Sequence, residues 1–344
     1  MTFSARRTCY VGTALATLLA SANAISHHGV TAHFDLTKPL VIEGKVARLD
    51  LRNPHSTVYL DVTASDGSTA QWHCEMHGST ILRRMDITAE TLTPGTPLRI
   101  EGFPHRRDAT GCYFDVGILE SGRRLELGFL TGTQSAKAGE DAKQGSVLGT
   151  WIRKDFEVAQ TVRRNFDVPL TEAGLAAHAA YDPIRDDPTR QCSPVSQIRV
   201  WGMATQPAVI SQEGDELLIA HEWMDVRRPI DMPPYDETTK TPAVLGHSRG
   251  EWQDDVLVIT TTNFTVGVIN QFVENFAGQA STGVLHSDQM ILVEKLEIDP
   301  TNDDLMLNWT ITDPGYYTDS FSGSQRLVRS DLQIQPYNCV PDEQ

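Results

Sequence analysis

Short segments of alternating apolar and polar residues, separated by Gly, Pro, Asp and Ser turns, succeed one another along this chain with few helical stretches between them. That alternation restricts the fold to sheet architectures. Residues 40–50 (LVIEGKVARLD) read as a first strand, and residues 56–64 as a second with Val58, Leu60 and Val62 on one face. Residues 65–68 are a turn and 69–77 the returning strand, whose less polar face is Trp72, Cys74 and Met76. These match Val62, Leu60 and Val58 if the loop is Asp66-Gly67-Ser68, with Gly67 or Ser68 in the left-handed region. Residues 79–86 read as a short helix, and strands are expected at 97–103, 112–119 and 123–130. Three strands, a helix and further strands is the element order of an OB-like small β-barrel.

Residues 131–150 are almost free of large apolar side chains and read as a flexible linker. Beyond it, Thr171 is placed to cap a helix over 172–181, with Leu170 stapling onto Leu175. Strands are then expected at 199–211, 216–230, 251–264, 289–298, 304–312 and 326–337. Strand following strand in this way predicts an antiparallel β-barrel or sandwich of lipocalin size over 151–344. The fold expected is therefore mainly β, with an OB-like barrel over 25–130 followed by this second β-rich domain.

Residues 1–24 carry the pattern of a signal peptide: Arg6-Arg7, an apolar run at 11–20, and Ala22-Asn23-Ala24 as the cleavage site. No later run is long enough for a transmembrane helix, so the mature chain is expected to be periplasmic or secreted. Four cysteines then remain, and Cys74–Cys112 with Cys192–Cys339 is the favoured pairing, one disulfide per domain. A thiolate-ligand role for Cys74 competes with this. In the chain-entropy account the longer loop contributes about 4–5 kcal/mol. Net charge is −16, with residues 25–130 close to neutral, so the acidity sits in the second half. Such a surface argues against nucleic acid as a partner.

Seven of eleven histidines lie between His27 and His105. If the signal is cut after Ala24, the chain begins Ile25-Ser26-His27, whose amine, amides and imidazole suit Cu(II) or Ni(II); a cut after Ser26 makes His27 terminal. On the third strand His73, Glu75 and His77 alternate on one face, about 6.6–6.8 Å apart at the backbone. The expected register sets His77 opposite Thr57 and His55 on the diagonal. His55, Glu75 and His77, with His27 or His28 folding over, form a candidate metal site, with copper the favoured ion. The competing reading is an exposed polar barrel face.

In the second half, Gly246-His247-Ser248-Arg249-Gly250 has the G-x-S-x-G spacing, but a strand rather than a helix follows, which excludes a nucleophile elbow. His221-Glu222 lacks the second histidine of a zincin, since Asp225 stands there. His221, Glu222, His247 and Asp313 remain candidates for acid/base groups in a barrel mouth, with Arg227, Arg228, His286 and Asp288 nearby in type.

The export signal, His27-His28, Asn53-Pro54-His55, Trp72-x-x-Glu75-Met76, Leu82-Arg83-Arg84, and Pro94-Gly95 before Gly102-x-Pro104 resemble a family of exported bacterial proteins classed as a domain of unknown function. The resemblance spans about 26–127 and implies a small envelope β-barrel. The second half is similar to another uncharacterised exported set through Ala180-Tyr181-Asp182-Pro183, Gly246-His247-Ser248, Trp252, Asp313-Pro314 and Tyr337-x-Cys339. Lys295-Leu296 stands where that set has Arg-Phe. His73 and Cys74 are additions to the first pattern, which leaves His55 the stronger ligand candidate.

The function expected is a non-catalytic, periplasmic two-domain protein that binds a metal ion, copper favoured, or a small ligand; a protein partner is also compatible. The alternative is an enzyme (hydrolase, hydratase or isomerase) acting on a small apolar substrate in the C-terminal barrel. A purely structural interaction module is the third reading.

Overall fold

The computed structural model describes residues 33–127, 145–153, 168–182, 185–203, 206–236, 238–270 and 283–341. The signal segment, His27, His28 and positions 131–144 of the expected linker lie outside the described residues. The described chain is mainly β and forms two closed barrels.

The first barrel is built from β1 (Leu40–Asp50), β2 (Thr57–Thr63), β3 (Thr69–Glu75), β4 (Pro97–Pro104) and β5 (Gly111–Leu119), with β6 (Arg124–Glu126) on the edge of β5. Going round, the order is β1-β2-β3-β5-β4, closed where β3 runs parallel to β5 through Cys74↔Cys112. Helix α1 (Ser79–Arg84) lies between β3 and β4, as in an OB fold. The inner face is that of the alternation: Val58, Leu60, Cys74, Met76, Ile100 and Phe114 are buried, and α1 adds Ile81 and Leu82.

The β2–β3 register differs from expectation by two residues. Leu60 faces Trp72, Val58 faces Cys74 and Thr57 faces Glu75. The loop still has three residues, but they are Ser65-Asp66-Gly67: Ala64 N–H bonds Ser68 O at 2.8 Å and Gly67 takes φ +86°. Asp66 Oδ1 accepts the Ser68 N–H at 2.9 Å. Glycine adopts this left-handed backbone without steric cost, which fixes the turn one residue earlier. Because the shift is even, every side chain keeps its face.

The second barrel has nine strands: β7 (Gly149–Arg153), β8 (Ala208–Glu213), β9 (Glu216–His221), β10 (Arg227–Asp231), β11 (His247–Gln253), β12 (Val256–Thr262), and, after the β13 (Gly267–Asn270)–β14 (Val284–His286) hairpin, β15 (Ile291–Ile298), β16 (Leu305–Thr312) and β17 (Phe321–Arg329). The expected strand at 199–211 begins instead as α3 (Gln197–Trp201), because Ser196 caps Arg199 N–H. The expected 216–230 strand breaks at Trp223–Asp225, where Met224 has φ 57°. The 251–264 strand is split by the turn at Asp254 into β11 and β12, and residues 330–337 leave the sheet. Helix α2 (Glu172–Ala180) is capped by Thr171 as expected. The staple is absent: Leu175 is exposed and Leu170 packs on the barrel core. All neighbouring strands are antiparallel except β10 and β11, which run parallel.

Both expected disulfides, Cys74–Cys112 and Cys192–Cys339, are present. Cys74 is therefore no thiolate ligand. No helix among the described residues is long and apolar enough to cross a membrane.

Candidate functional site

On the first barrel, the observed register changes which groups meet. Since Glu75 lies opposite Thr57, the diagonal neighbour of His55 is Glu75, and His55 Nδ1 sits 3.0 Å from Glu75 Oε1 with both side chains about one third exposed. His77 lies beyond β3 and donates from Nε2 to the Leu127 carbonyl at 3.0 Å. Burial lowers the His77 pKa, opposed by that carbonyl, with His55 lowering and Glu75 raising it further. His73 turns instead to Asp108, at 3.2 Å. His105 accepts the Asp108 N–H on Nδ1 at 3.0 Å and its ring stands 5.7 Å from that of His33. So His55, Glu75 and His77 share one electrostatic neighbourhood, but among the described residues no three His, Cys, Asp or Glu side chains are arranged to hold a metal ion.

The four acid/base candidates of the second half have separate tasks. His221 is buried inside the barrel, edge-on to Trp201 with ring centroids 4.5 Å apart, and burial, reinforced by Arg228, drives its pKa down to about 3. Glu222, next in sequence, faces the first barrel: both carboxylate oxygens take the guanidinium of Arg84 from α1, and Oε2 also accepts the Gln335 N–H at 2.9 Å. Asp313 ties a turn, accepting Ser287 N–H at 2.7 Å and Gly315 N–H at 3.1 Å. His247 Nε2 donates to the Thr241 carbonyl at 2.7 Å and is the one of the four that lines a cleft.

That cleft, with a cavity volume of about 400 Å³, opens at the parallel seam. Strand β10 pairs with β9 over Arg227–Ile230 but meets β11 only at Ile230↔Ser248 and Asp231↔Arg249. Upstream of Ile230 the β10–β11 pairing does not continue, and residues 232–236 and 238–246 border the opening as a rim. The rim is pinned by Thr265 N–H to Ala243 O at 3.0 Å and Asn263 Nδ2 to Lys240 O at 2.7 Å. Pro229, Leu245 and Met232 supply apolar wall, while Asp215, Glu216, Arg227 and Asp231 supply charge. At the floor is Arg228, whose Nε bonds Ser248 Oγ at 2.7 Å, Nη2 bonds Thr261 Oγ1 at 2.7 Å, and whose guanidinium is paired with Glu294. Trp201 Nε1 completes the set on Glu294 Oε1 at 3.0 Å.

Glu294 escaped the sequence reading, although a carboxylate between Leu292 and Leu296 on an inward-facing register is itself the signal of a buried ion pair. In the sequence Asn53 stands out only as part of the Asn53-Pro54-His55 motif. In the fold it is a joint between barrels: its side-chain Nδ2 donates to Ser79 Oγ at 3.0 Å and to the Tyr337 carbonyl, and its backbone carbonyl accepts Val340 N–H at 3.0 Å.

In comparison with known proteins, residues 15–113 match a family described as a family of unknown function (DUF6152). That match covers residues 15–24 of the signal-like segment and the first barrel through the start of β5. No curated protein and no solved structure matches the chain.

Proposed function

We propose that this is an exported, non-catalytic binding protein whose second barrel holds a small molecule in the cleft at the β10–β11 seam. The observation that carries the reading is a cavity of about 400 Å³, the scale of small-ligand sites, with apolar walls and a few convergent polar groups. The non-catalytic part is supported by the fixed partners of His221, Glu222 and Asp313 away from the cleft, which leave His247 as the one of the four acid/base candidates on its wall. Export to the periplasm or beyond is supported by the signal-like segment and the two disulfides. A thermal-shift fragment screen on the mature protein, repeated on Pro229→Trp, tests it. Hits that stabilise the parent and lose their effect in the variant support the cleft, whereas hits unaffected by Pro229→Trp place the ligand elsewhere. Turnover of a hit, abolished by His247→Ala, would favour the enzyme reading instead.

A second reading is metal capture by the first barrel, copper favoured, at His55, Glu75 and His77 with His27 or His28. It is supported by the His55–Glu75 contact at 3.0 Å, an imidazole and a carboxylate already converged. Metal analysis of protein taken from the periplasm decides it: the parent should hold about one equivalent and His55→Ala/Glu75→Gln none. Metal-free parent with no micromolar copper uptake would end this reading.

A further inference from the structure

The charges along the cleft are not mixed at random. Cross-strand pairs share a face: Leu217 lies opposite Ile230 and both are buried, so Glu216, which follows Asp215, and Asp231 beside them point outward, as do Pro229 and Arg227 two and four positions before Asp231 on β10. The acidic end gathers Asp215, Glu216, Asp231 and Asp236. Among the described residues Lys240 opposes them at Asp231 (3.9 Å) and Asp236 (3.8 Å), and Arg249 at Asp231 (3.7 Å). Asp215 and Glu216 have no ion-pair partner among the described residues. The other end has Arg227, exposed and likewise without a carboxylate partner among the described residues, since Arg228 behind it is committed to Glu294. Between the ends the wall is Pro229 and Leu245.

The backbone adds a second recognition element at the basic end. His221 N–H bonds the Val226 carbonyl at 2.8 Å, which places the Val226 backbone on the β9 side. Backbone groups alternate sides along a strand, so Arg227 turns its N–H and C=O toward the seam, upstream of where β11 begins to pair. A guanidinium beside a strand-edge N–H is the donor set that captures a terminal carboxylate and begins a backbone pairing.

We infer that the cleft takes a short extended peptide with both termini free, its carboxylate at Arg227 and its ammonium group at Asp215 and Glu216; this rests on the cleft being the ligand site. Four strand steps separate Arg227 from Asp231, about 13 Å at 3.3 Å per residue. An extended tetrapeptide covers about the same span, with its small side chains over Pro229 and Leu245.

Isothermal titration of the full mature protein with tetra-alanine, N-acetyl-tetra-alanine and tetra-alanine amide tests the assignment. Tetra-alanine should bind, and blocking either terminus should weaken binding at least tenfold. In Arg227→Gln the amide should bind as well as the free acid. In Asp215→Asn/Glu216→Gln the acetyl group should no longer matter, which ties each terminus to its own end. Binding indifferent to both blocks overturns the inference. So does absence of tetra-alanine binding when screen hits still lose their effect in Pro229→Trp, an outcome that leaves the cleft reading standing. If neither tetra-alanine nor any Pro229→Trp-sensitive hit binds, both fall together.

Discussion

His221 shows what the second barrel does to a single titratable side chain. Outside a fold its pKa is near 6.5; against Trp201 and beside Arg228 it falls to about 3, burial being the larger cause. The folded value lies below the unfolded one, so the unfolded chain binds more protons between them. Stability is then full above about pH 6.5 and is lost as pH falls toward 3. Between pH 7.5 and pH 5 the loss from this residue is about 2 kcal/mol. His77, His178 and His286 are lowered by burial in the same direction. Urea unfolding at the two pH values should therefore show a clear drop in midpoint, and His221→Gln should reduce that drop. An equal drop in the variant would mean that the acid sensitivity lies in the other histidines.

At the scale of elements, β10, β11, β12 and β15 are joined inside the barrel by one polar network centred on Arg228 and Glu294. Both side chains are nearly inaccessible, and each donor of Arg228 in the network has a named acceptor. Removing one partner leaves the other charge buried alone, which costs about 3–5 kcal/mol, whereas apolar replacement of both is far milder. Glu294→Leu alone should lower stability by that order in chemical denaturation. Arg228→Met/Glu294→Leu should recover most of it. If the double variant is as unstable as the single one, Ser248, Thr261 and Trp201 depend on the pair more than its own electrostatics requires. The β2–β3 hairpin belongs to the same scale. Its alternation showed which side chains share a face, but the pairing partner depended on which residue took the left-handed turn, and two registers satisfy the same alternation.

Across the whole molecule, the two barrels are held by the chain end. Residues 330–341 leave β17 and run between them: Gln333 O and Gln335 N–H bond Arg84 and Glu222, Tyr337 N–H bonds Asp225 Oδ1 at 2.8 Å, and the Tyr337 carbonyl meets Asn53. Cys339 is tied back to Cys192. Glu222 is fully buried in this joint, so Arg84→Ala strands its carboxylate without a cation. We expect a loss of about 3–5 kcal/mol and, in calorimetry, a single parent transition resolving into two. One unsplit transition at the parent temperature would show that the joint does not couple the barrels.

Alternation, turn residues and cysteine count were enough to determine a mainly β chain, the OB-like strand–helix order, the buried faces and the disulfide pairing, because each depends on local periodicity or on few combinations. The functional groups were legible only as types. His55 and Glu75 were named, but a two-residue register shift made them neighbours. His221, Glu222 and Asp313 were grouped by chemistry, yet adjacent residues on a strand point to opposite sides, and the fold sent one into the lumen, one to the joint and one to a turn. The cleft had no local signal at all. It exists because two sequentially distant strands meet in parallel over only two residue pairs, a consequence of barrel closure that no stretch of sequence contains.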